Sequence, residues 1–375
     1  MRLLVVSSHF PPRPGGSSVI MHNLLKGLNQ KDIVGVITQD YGGEPLNETY
    51  PIYYFFGLQR KLNHRGSFYV KELLFKKELR RLIKLIIANQ VTHVLGVYPD
   101  FIFLRLAYHA SLKTDVKLIP YLHDTIAEGL SHTKYRKSAK VLQEKLFRYC
   151  PDIFVMSEGM HRLYLQKYNK QTQVLTHSFP EDISDLQKVN YDRISEAVFW
   201  GGAIYGINKN AVFRIIEAAK NKGMRVNIAA SISEARAKRL GLIQDHVNWD
   251  SYSREDYLKL LREQKILILA LDWPEESAVH RDELSTIFPT KTIEYLAAGR
   301  PIIVHCPNNY FLAKYLQENN CAYVVSCRKT EEIEKTIDYI QDNTDERDLK
   351  IKNAMALVKK FSIEKVVQDF YSVVK

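Results

Sequence analysis

The chain has 375 residues, of which 46% are hydrophobic and 25% are charged, as expected for a folded protein of about two domains. Its four cysteines show neither a metal-ligand spacing nor a disulfide framework, which favours a reducing compartment. No apolar run approaches the ~20 residues of a membrane-spanning helix, and the start, MRLLVVSSHFPP, lacks the layout of a signal peptide. The sequence therefore predicts a cytoplasmic protein.

The net charge of +11 is concentrated in the first half of the chain. Residues 60–84 hold nine Lys or Arg against two Glu, a net +7, and residues 131–148 hold six against one, a net +5. A basic amphipathic helix can lie on an anionic membrane surface, or it can be an ordinary packed helix with a solvated basic face. The two blocks together leave these readings about equal. Nucleic acid is not expected as a partner, because no recognition module is apparent.

Strands and helices alternate along the first half. We expect strands at Leu3–Ser7, Ile33–Thr38, Ile52–Phe56, His93–Val97, Leu118–Leu122 and Asp152–Met156. Helical spacing is present around Ile20–Leu28, over Phe68–Asn89 and Asp100–Ala110, and from Glu158 to Tyr168. This order is typical of a parallel sheet joined by helical crossovers.

Two places in this half are candidates for binding. Gly15 and Gly16, in the loop after the first strand, would let backbone approach a bound group, although a plain turn explains them equally well and their spacing is not GxGxxG. His123 and Asp124 follow a strand, at the end where open α/β sheets place their sites. They could bind a phosphate or a hydroxyl, or Asp124 could cap a helix.

The second half repeats the layout of the first. A polar, acidic segment between about Phe179 and Ser195 predicts a domain linker. A strand at Ala197–Trp200, a glycine loop (GGAIYGINKN) and a helix over Ala211–Ala219 follow. Further elements are expected as strands at Val226–Ala229, Lys265–Leu271 and Ile302–Val304, and as a helical tail from Ala354. Parallel sheets are therefore predicted in both halves.

Residues 288–304, FPTKTIEYLAAGRPIIV, predict a short helix that ends near Gly299 and leads into a strand. Lys291 and Glu294 share a face near the start of that helix. A helix N-terminus attracts anions and a carboxylate can hold vicinal hydroxyls, so the pattern suits a nucleotide. A surface helix with an early glutamate explains it equally well.

The motifs PPRPGG, YLHD, WGGAIYGINKN and PTKTIEYLAAGRPII, in this order, resemble the GT-B glycosyltransferases of the family-4 type. The resemblance covers nearly the whole chain. It implies an α/β protein with two Rossmann-like, doubly wound parallel-sheet domains facing a cleft, at residues 1–180 and 195–355. A final helix within 356–375 would pack back toward the first domain.

The resemblance implies an enzyme of the hexosyltransferase type that transfers a sugar with retention from a nucleotide-sugar donor. Because the first domain holds the acceptor in such enzymes and the first half of this chain is basic, we expect the acceptor to be a glycan or a lipid-linked intermediate of surface polysaccharide biosynthesis, reached at the inner face of the membrane. No metal or other cofactor is implied. Because no side chain stands out as a nucleophile, front-face displacement is the mechanism that the resemblance favours.

Site residues are carried over from the same motifs. Glu294 would hold the donor ribose, Lys209 would neutralise the leaving diphosphate, and His123 would contact the transferred sugar. The other residues expected at the site are Gly15, Gly16, Gly201, Gly202, Glu283, Thr290 and Lys291.

The sequence departs from the family pattern at two places. Thr286 stands where many relatives have a second glutamate, which makes Glu283, three residues upstream, the candidate for that role. Relatives often carry an arginine before Lys209, and Arg281 is the candidate substitute here. A sugar-nucleotide epimerase, a phosphorylase or an inactive binding module on the same fold therefore stay open, whereas the glycine spacing disfavours a nicotinamide oxidoreductase.

Overall fold

The computed structural model of the protein describes residues 1–13, 15–40, 48–56, 68–129, 133–179 and 195–374. The chain forms two compact units: a first unit of residues 1–178 with 363–375, and a second unit of residues 179–362. Residues 180–194 of the predicted linker, and residues 60–67 and 131–132 of the basic blocks, lie outside the described residues. In the described part of the chain, no helix combines the length and the apolarity needed to cross a membrane.

The first unit is built on a parallel sheet of seven strands. The strands are β1 (Leu3–Val6), β2 (Ile33–Gln39), β3 (Ile52–Phe55), β4 (His93–Tyr98), β5 (Lys117–Leu122), β6 (Phe154–Val155) and β7 (Gln173–Val174). Their order across the sheet is β3-β2-β1-β4-β5-β6-β7. All four residues of β1 are buried, and Leu3–Val6 lie in register with residues 93–96 of β4. Such continuous apolar runs are typical of strands covered on both faces.

Helices cover both faces of this sheet. They are α1 (Gly16–Gly27), α2 (Phe68–Ala88), α3 (Phe101–Thr114), α4 (Thr133–Tyr149), α5 (Glu158–Tyr168) and, from the end of the chain, α14 (Ile363–Val374), with a 3₁₀ turn at Gln30–Asp32. Helices α2, α3 and α4 connect β3 to β4, β4 to β5 and β5 to β6, and each connection moves the same way across the sheet. Because such connections are right-handed, the three helices lie on the same face of the sheet. Accordingly, α3 contacts both α2 and α4.

The last helix is an integral part of the first unit. Helix α14 packs on α1, where a Cβ added to Gly27 would lie 2.7 Å from side-chain atoms of Ile363 and Val367. The ring of Phe370 stacks on that of Phe154 with the centroids 5.6 Å apart. The chain therefore returns to its first unit only after the second is complete.

The second unit contains a parallel sheet of six strands. These are β8 (Ser195–Gly201), β9 (Arg225–Ala229), β10 (Val247–Asp250), β11 (Gln264–Ala270), β12 (Ile302–His305) and β13 (Tyr323–Val325), in the order β10-β9-β8-β11-β12-β13. Its helices are α6 (Lys209–Asn221), α7 (Glu234–Leu240), α8 (Arg254–Arg262), α9 (Arg281–Leu284), α10 (Lys291–Ala297), α11 (Phe311–Glu318), α12 (Thr330–Asp342) and α13 (Thr344–Val358), followed by a 3₁₀ turn at Lys359–Phe361.

The predicted parallel α/β architecture is confirmed in both units. In each sheet the strand order reverses beside the first strand, between β1 and β4 and between β8 and β11. Open α/β sheets bind ligands at the carboxyl ends of the strands next to such a reversal. The loops that follow β1, β8 and their neighbours are therefore where a site is expected.

Candidate active site

Each unit has an open glycine between its first strand and the helix that follows. Gly15 has φ +130° and Gly202 has φ +96°, a backbone conformation that suits glycine. At both positions no atom of the described residues, the two chain neighbours aside, lies within 4 Å of where a Cβ would be, so the backbone is open to an approaching group. Helices α1 and α6 begin directly after these loops, and the amides at a helix start favour an anion.

The start of α6 already carries a negative charge supplied by the protein. Asp272, fully buried just after β11, accepts hydrogen bonds from the Ala211 amide at 2.8 Å and the Asn210 side chain at 3.1 Å. Burial raises the pKa of Asp272, and the donors from Ala211 and Asn210 oppose that rise. Lys209 is the exposed first residue of α6, and no hydrogen bond or ion pair from the described residues engages its ammonium. Lys209 is therefore the cation at this helix start that can neutralise an added anion.

Helix α10 holds the first glycine of the second-unit loop by both of its backbone groups. The Lys291 ammonium donates to the Gly201 carbonyl at 2.8 Å, and the Gly201 amide donates to the Tyr295 hydroxyl at 2.8 Å. The same ammonium lies 2.9 Å from the centroid of the Trp200 ring. Burial lowers the pKa of Lys291 well below its usual range. Lys291 thus lies under the glycine loop and fixes its position.

Glu294 projects from the same helix and is held by two residues of α8. Its carboxylate pairs with the Arg254 guanidinium and accepts a hydrogen bond from the Tyr257 hydroxyl. That hydroxyl also lies against Gly201, where an added Cβ would be 2.5 Å from it. The Glu294 side chain keeps 18% of its surface exposed. An accessible carboxylate therefore lies beside the glycine loop.

Two further predicted positions, Glu283 and Thr290, precede α10 in the chain, together with Thr286, which stands in place of the family glutamate. Thr290 directly precedes the helix, has helical dihedral angles and makes no side-chain capping bond. Glu283 in α9 is 7% exposed and Thr286 is 5% exposed, and the Thr286 hydroxyl donates to the Glu283 carbonyl at 2.9 Å. Glu283 is therefore packed into the second unit, and Thr286 closes the turn after α9.

In the first unit, His123 lies at the carboxyl end of β5. It is 8% exposed, and its ring lies edge-on to the Tyr121 ring with the two centroids 4.4 Å apart. No hydrogen bond from the described residues reaches either ring nitrogen. Burial lowers the pKa of His123 to about 3, with His9 and His177 adding to the effect. The imidazole is therefore neutral at pH 7, when it can exchange hydrogen bonds with a hydroxyl but carries no charge.

The loop after His123 is tied to α4 and α5. The Ile126 amide donates to the Tyr164 hydroxyl at 3.3 Å, and the Ala127 amide donates to the Gln143 side chain at 3.2 Å. Glu128 is 1% exposed and pairs with Lys167 at 3.1 Å. These bonds fix the loop on which His123 is presented.

Solved structures match this architecture over the full chain. Anabaena HepE, crystallised in complex with UDP and glucose, matches with a TM-score of 0.70 and 16% identity, covering 100% of this chain and 99% of HepE. Sucrose-phosphate synthase from Thermosynechococcus elongatus matches with a TM-score of 0.74 and 11% identity, covering 100% and 98%. A putative UDP-N-acetylglucosamine 2-epimerase from Listeria monocytogenes matches with a TM-score of 0.59 and 11% identity, covering 100% and 95%.

The chain has the GT-B fold. No protein-family model and no curated protein sequence matches it. At these identities the likeness establishes the GT-B fold, and the reaction has to be argued from the site itself.

The two GT-B units divide the predicted residues between them. Gly15, Gly16 and His123 belong to the first unit, and the second unit contains Gly201, Gly202, Lys209, Glu283, Thr290, Lys291 and Glu294. Within the second unit the structure brings Gly201, Lys291 and Glu294 together through α10. It places Lys209 at the end of the same loop.

Sequence reasoning missed the side chains that hold these groups. In the second unit they are Trp200, Arg254, Tyr257, Asp272 and Tyr295. In the first unit His9 and His177, which follow β1 and β7, lie close enough to depress the pKa of His123. Both could have been predicted from the sequence, because each follows a strand of the parallel sheet, and His123 was predicted on that ground.

Proposed function

We propose that the protein is a glycosyltransferase that moves a sugar from a nucleoside-diphosphate sugar to a hydroxyl of a glycan or lipid-linked acceptor. The observation that carries this proposal is the Glu294 carboxylate, accessible and fixed beside Gly201 and Gly202 in the second GT-B unit. A carboxylate accepts from the two vicinal hydroxyls of a ribose, and an open glycine loop admits a diphosphate. HepE, which shares the fold, was crystallised with UDP and glucose.

Each residue then has a specific role. Glu294 holds the ribose, and Lys209, the exposed cation at the end of the glycine loop, neutralises the diphosphate as it leaves. The neutral His123 exchanges a hydrogen bond with a hydroxyl of the transferred sugar. We infer no metal ion in the reaction, because a lysine can supply the positive charge that the departing phosphate needs.

We infer that the reaction retains the anomeric configuration. The acceptor oxygen bonds to the anomeric carbon on the face from which the phosphate oxygen departs, and that phosphate oxygen takes the acceptor proton. This step needs no protein nucleophile, and it is consistent with an imidazole at His123 that is neutral and a Lys291 ammonium that is bonded to the Gly201 carbonyl.

Activity assays distinguish this proposal from its alternatives. The protein is incubated with UDP-, GDP-, ADP- and dTDP-sugars, with and without a panel of alkyl glycosides as acceptors. We expect nucleoside diphosphate to be released only with an acceptor, and NMR of the product to show the anomeric configuration of the donor. Epimerisation of the sugar nucleotide without an acceptor would instead establish the reaction named for the Listeria neighbour. Binding without turnover across the panel would indicate a binding module.

The acceptor side of the proposal rests on the basic helices of the first unit. Leu73, Lys76, Lys77, Arg80, Lys84 and Ile87 recur at helical spacing on α2, and all are exposed. Leu73 and Ile87, at the two ends of this row, are 70% and 66% exposed. Helix α4, on the same face of the sheet, exposes Lys137, Lys140, Lys145 and Arg148. We infer that this face rests on an anionic membrane surface, where a lipid-linked acceptor for polysaccharide synthesis is found.

Neutralising the exposed row on α2 should abolish binding to anionic vesicles. The variant changes Lys76, Lys77, Arg80 and Lys84 to glutamine; Arg81 is left intact because it donates to the Tyr54 carbonyl at 2.8 Å and stacks on Phe55. At about 1 kcal/mol for each basic residue near the surface, binding should weaken about a thousandfold. Co-sedimentation with phosphatidylglycerol vesicles at low and high salt measures this.

The matched control changes four exposed basic residues of the second unit to glutamine: Lys220, Lys238, Arg239 and Lys259. Both variants lose the same charge, so any effect of net charge alone appears in both. Equal vesicle binding by the α2 variant and the wild type would refute the membrane surface assigned to the first unit.

A further inference from the structure

Arg254 and Tyr257 lie one turn apart on α8 and reach the same carboxylate on another helix. Arg254 pairs with Glu294, 40 residues away in sequence, and the Tyr257 hydroxyl donates to the same group. The carboxylate of Glu294 raises the pKa of Tyr257 further above its usual range, although burial is the larger cause. Two donors from one helix face therefore set the direction in which the Glu294 carboxylate points.

The two donors are themselves fixed. Ser253 caps α8 by accepting from the Asp256 amide at 3.1 Å and donating to the Asp256 carboxylate at 2.7 Å, so Arg254 stands at a defined first helical position. The Tyr257 ring packs against the Phe199 ring of β8 with the two ring centroids 5.8 Å apart. The donors on α8 are thus anchored to the strand that carries the glycine loop.

The donors leave room for a ligand. An ionised carboxylate has two oxygens with about four lone-pair directions. Among the residues that the structure describes, Arg254 and Tyr257 use two of these directions, so two are available for a pair of vicinal hydroxyls. The Arg254 side chain is 42% exposed, so its pairing with Glu294 does not seal the site.

We propose that Arg254 and Tyr257 are positioning residues that present Glu294 to the 2′- and 3′-hydroxyls of the nucleotide ribose. The proposal rests on the function proposed above, in which Glu294 is the ribose ligand. Tyr257 also links the ribose position to the diphosphate position, because its hydroxyl occupies the space that a side chain at residue 201 would need. Tyr257 therefore contacts both parts of the nucleotide site, in addition to the bonds that Lys291 and Tyr295 make to Gly201.

The test measures discrimination between a nucleotide and its 2′-deoxy form. UDP, ADP and GDP and their 2′-deoxy counterparts are titrated calorimetrically into the wild type, and the pair that binds most tightly is used. We expect the wild type to prefer the ribonucleotide at least about tenfold, because a hydrogen bond to a charged group is lost with the 2′-hydroxyl. Arg254→Met should reduce this preference to less than about threefold while binding of the deoxynucleotide changes little.

Two further variants and a control complete the experiment. Tyr257→Phe keeps the ring against Phe199 and removes only the hydroxyl, so it should lower the preference by a smaller factor. Arg254→Lys should recover part of it. Arg328→Met is the control, since Arg328 pairs with Glu275 and Glu276 in the same unit at a similar exposure of 51%.

Each outcome separates positioning from its alternatives. If Arg254→Met weakens both nucleotides equally, Arg254 has only a structural role and the proposal is overturned. If Glu294→Ala keeps the wild-type preference, Glu294 does not hold the ribose, and the proposed function of that residue fails as well. If no nucleotide binds the wild type, both proposals are rejected.

Discussion

Replacing Glu294 by alanine should weaken the binding of the donor nucleotide at least about a hundredfold. Two hydrogen bonds from the ribose to a charged group are lost, each contributing about 1.5–3 kcal/mol in a desolvated site. Even at the low end of that range the sum is about 3 kcal/mol, and each 1.4 kcal/mol is a factor of ten. Isothermal titration with the nucleoside diphosphate that binds the wild type most tightly measures the change, and transfer activity should fall in parallel.

A second carboxylate of the same unit provides the control. Glu276 pairs with both terminal nitrogens of Arg214 at 3.0 Å, so Glu276→Ala also leaves an arginine without its carboxylate. We expect Glu276→Ala to lower the melting temperature and to leave nucleotide affinity within about threefold, because its carboxylate is held by Arg214 and Arg328, neither of which is a proposed ligand of the nucleotide. Retention of wild-type affinity for that nucleoside diphosphate by Glu294→Ala would disprove the role of Glu294 in ribose binding.

Much of the architecture can be predicted because strong local signals agree. The stretch from Phe288 to Val304 predicts a helix followed by a strand, and the structure contains α10 and β12 there. The strands that the sequence did not predict are β7, β10 and β13, which have two, four and three residues. Segments this short have too few alternations for a period to show. The order of the strands in each sheet cannot be predicted from the local sequence pattern either, since it depends on contacts between segments that are distant in sequence.

The site was predictable in its residue types and less so in its contacts. Lys291 and Glu294 share a helix, yet Lys291 reaches inward to Gly201 while Glu294 turns to α8. That divergence depends on how α10 packs on β8, a contact between residues about 90 apart in sequence. The sequence of α8, REDYLKLLR, is strongly polar and gives no sign that Arg254 and Tyr257 face a binding site. Partners separated in sequence can be identified only once the packing is known.

Lowering the pH from 7 to 5 should destabilise both units, because each contains a histidine buried in its neutral form. In the first unit, burial lowers the pKa of His123 to about 3, and His9 and His177 add to the effect. In the second unit, burial lowers the pKa of His305 to about 4, and the neighbouring Arg214 adds to it. His305 Nε2 accepts from Arg214 at 3.0 Å, so a proton there would place two cations in contact.

Acid lowers the stability because the unfolded state binds protons more readily than the folded state. A histidine in the unfolded chain has a pKa near 6.5, so below that pH the unfolded state binds a proton that the folded state does not. The free energy of unfolding is therefore highest above pH 6.5 and falls as the pH drops toward the folded-state values of about 3 and about 4. At pH 5 each histidine should lower the free energy of unfolding of its unit by about 2 kcal/mol, which is a large part of the stability of an ordinary domain.

Denaturant titrations at pH 5, 6, 7 and 8 would test this for the second unit in particular. The three tryptophans, Trp200, Trp249 and Trp273, all lie in that unit, so their fluorescence reports its unfolding. Between pH 6 and pH 5 the contribution of His305 to the free energy of unfolding should change by about 1.2 kcal/mol, because the unfolded histidine binds on average slightly less than one proton more than the folded one. His305→Gln, which cannot be protonated, should lose stability at pH 8 and show a flatter dependence on pH. Parallel curves for the variant and the wild type would mean that proton uptake by His305 is not what limits the acid stability of the second unit.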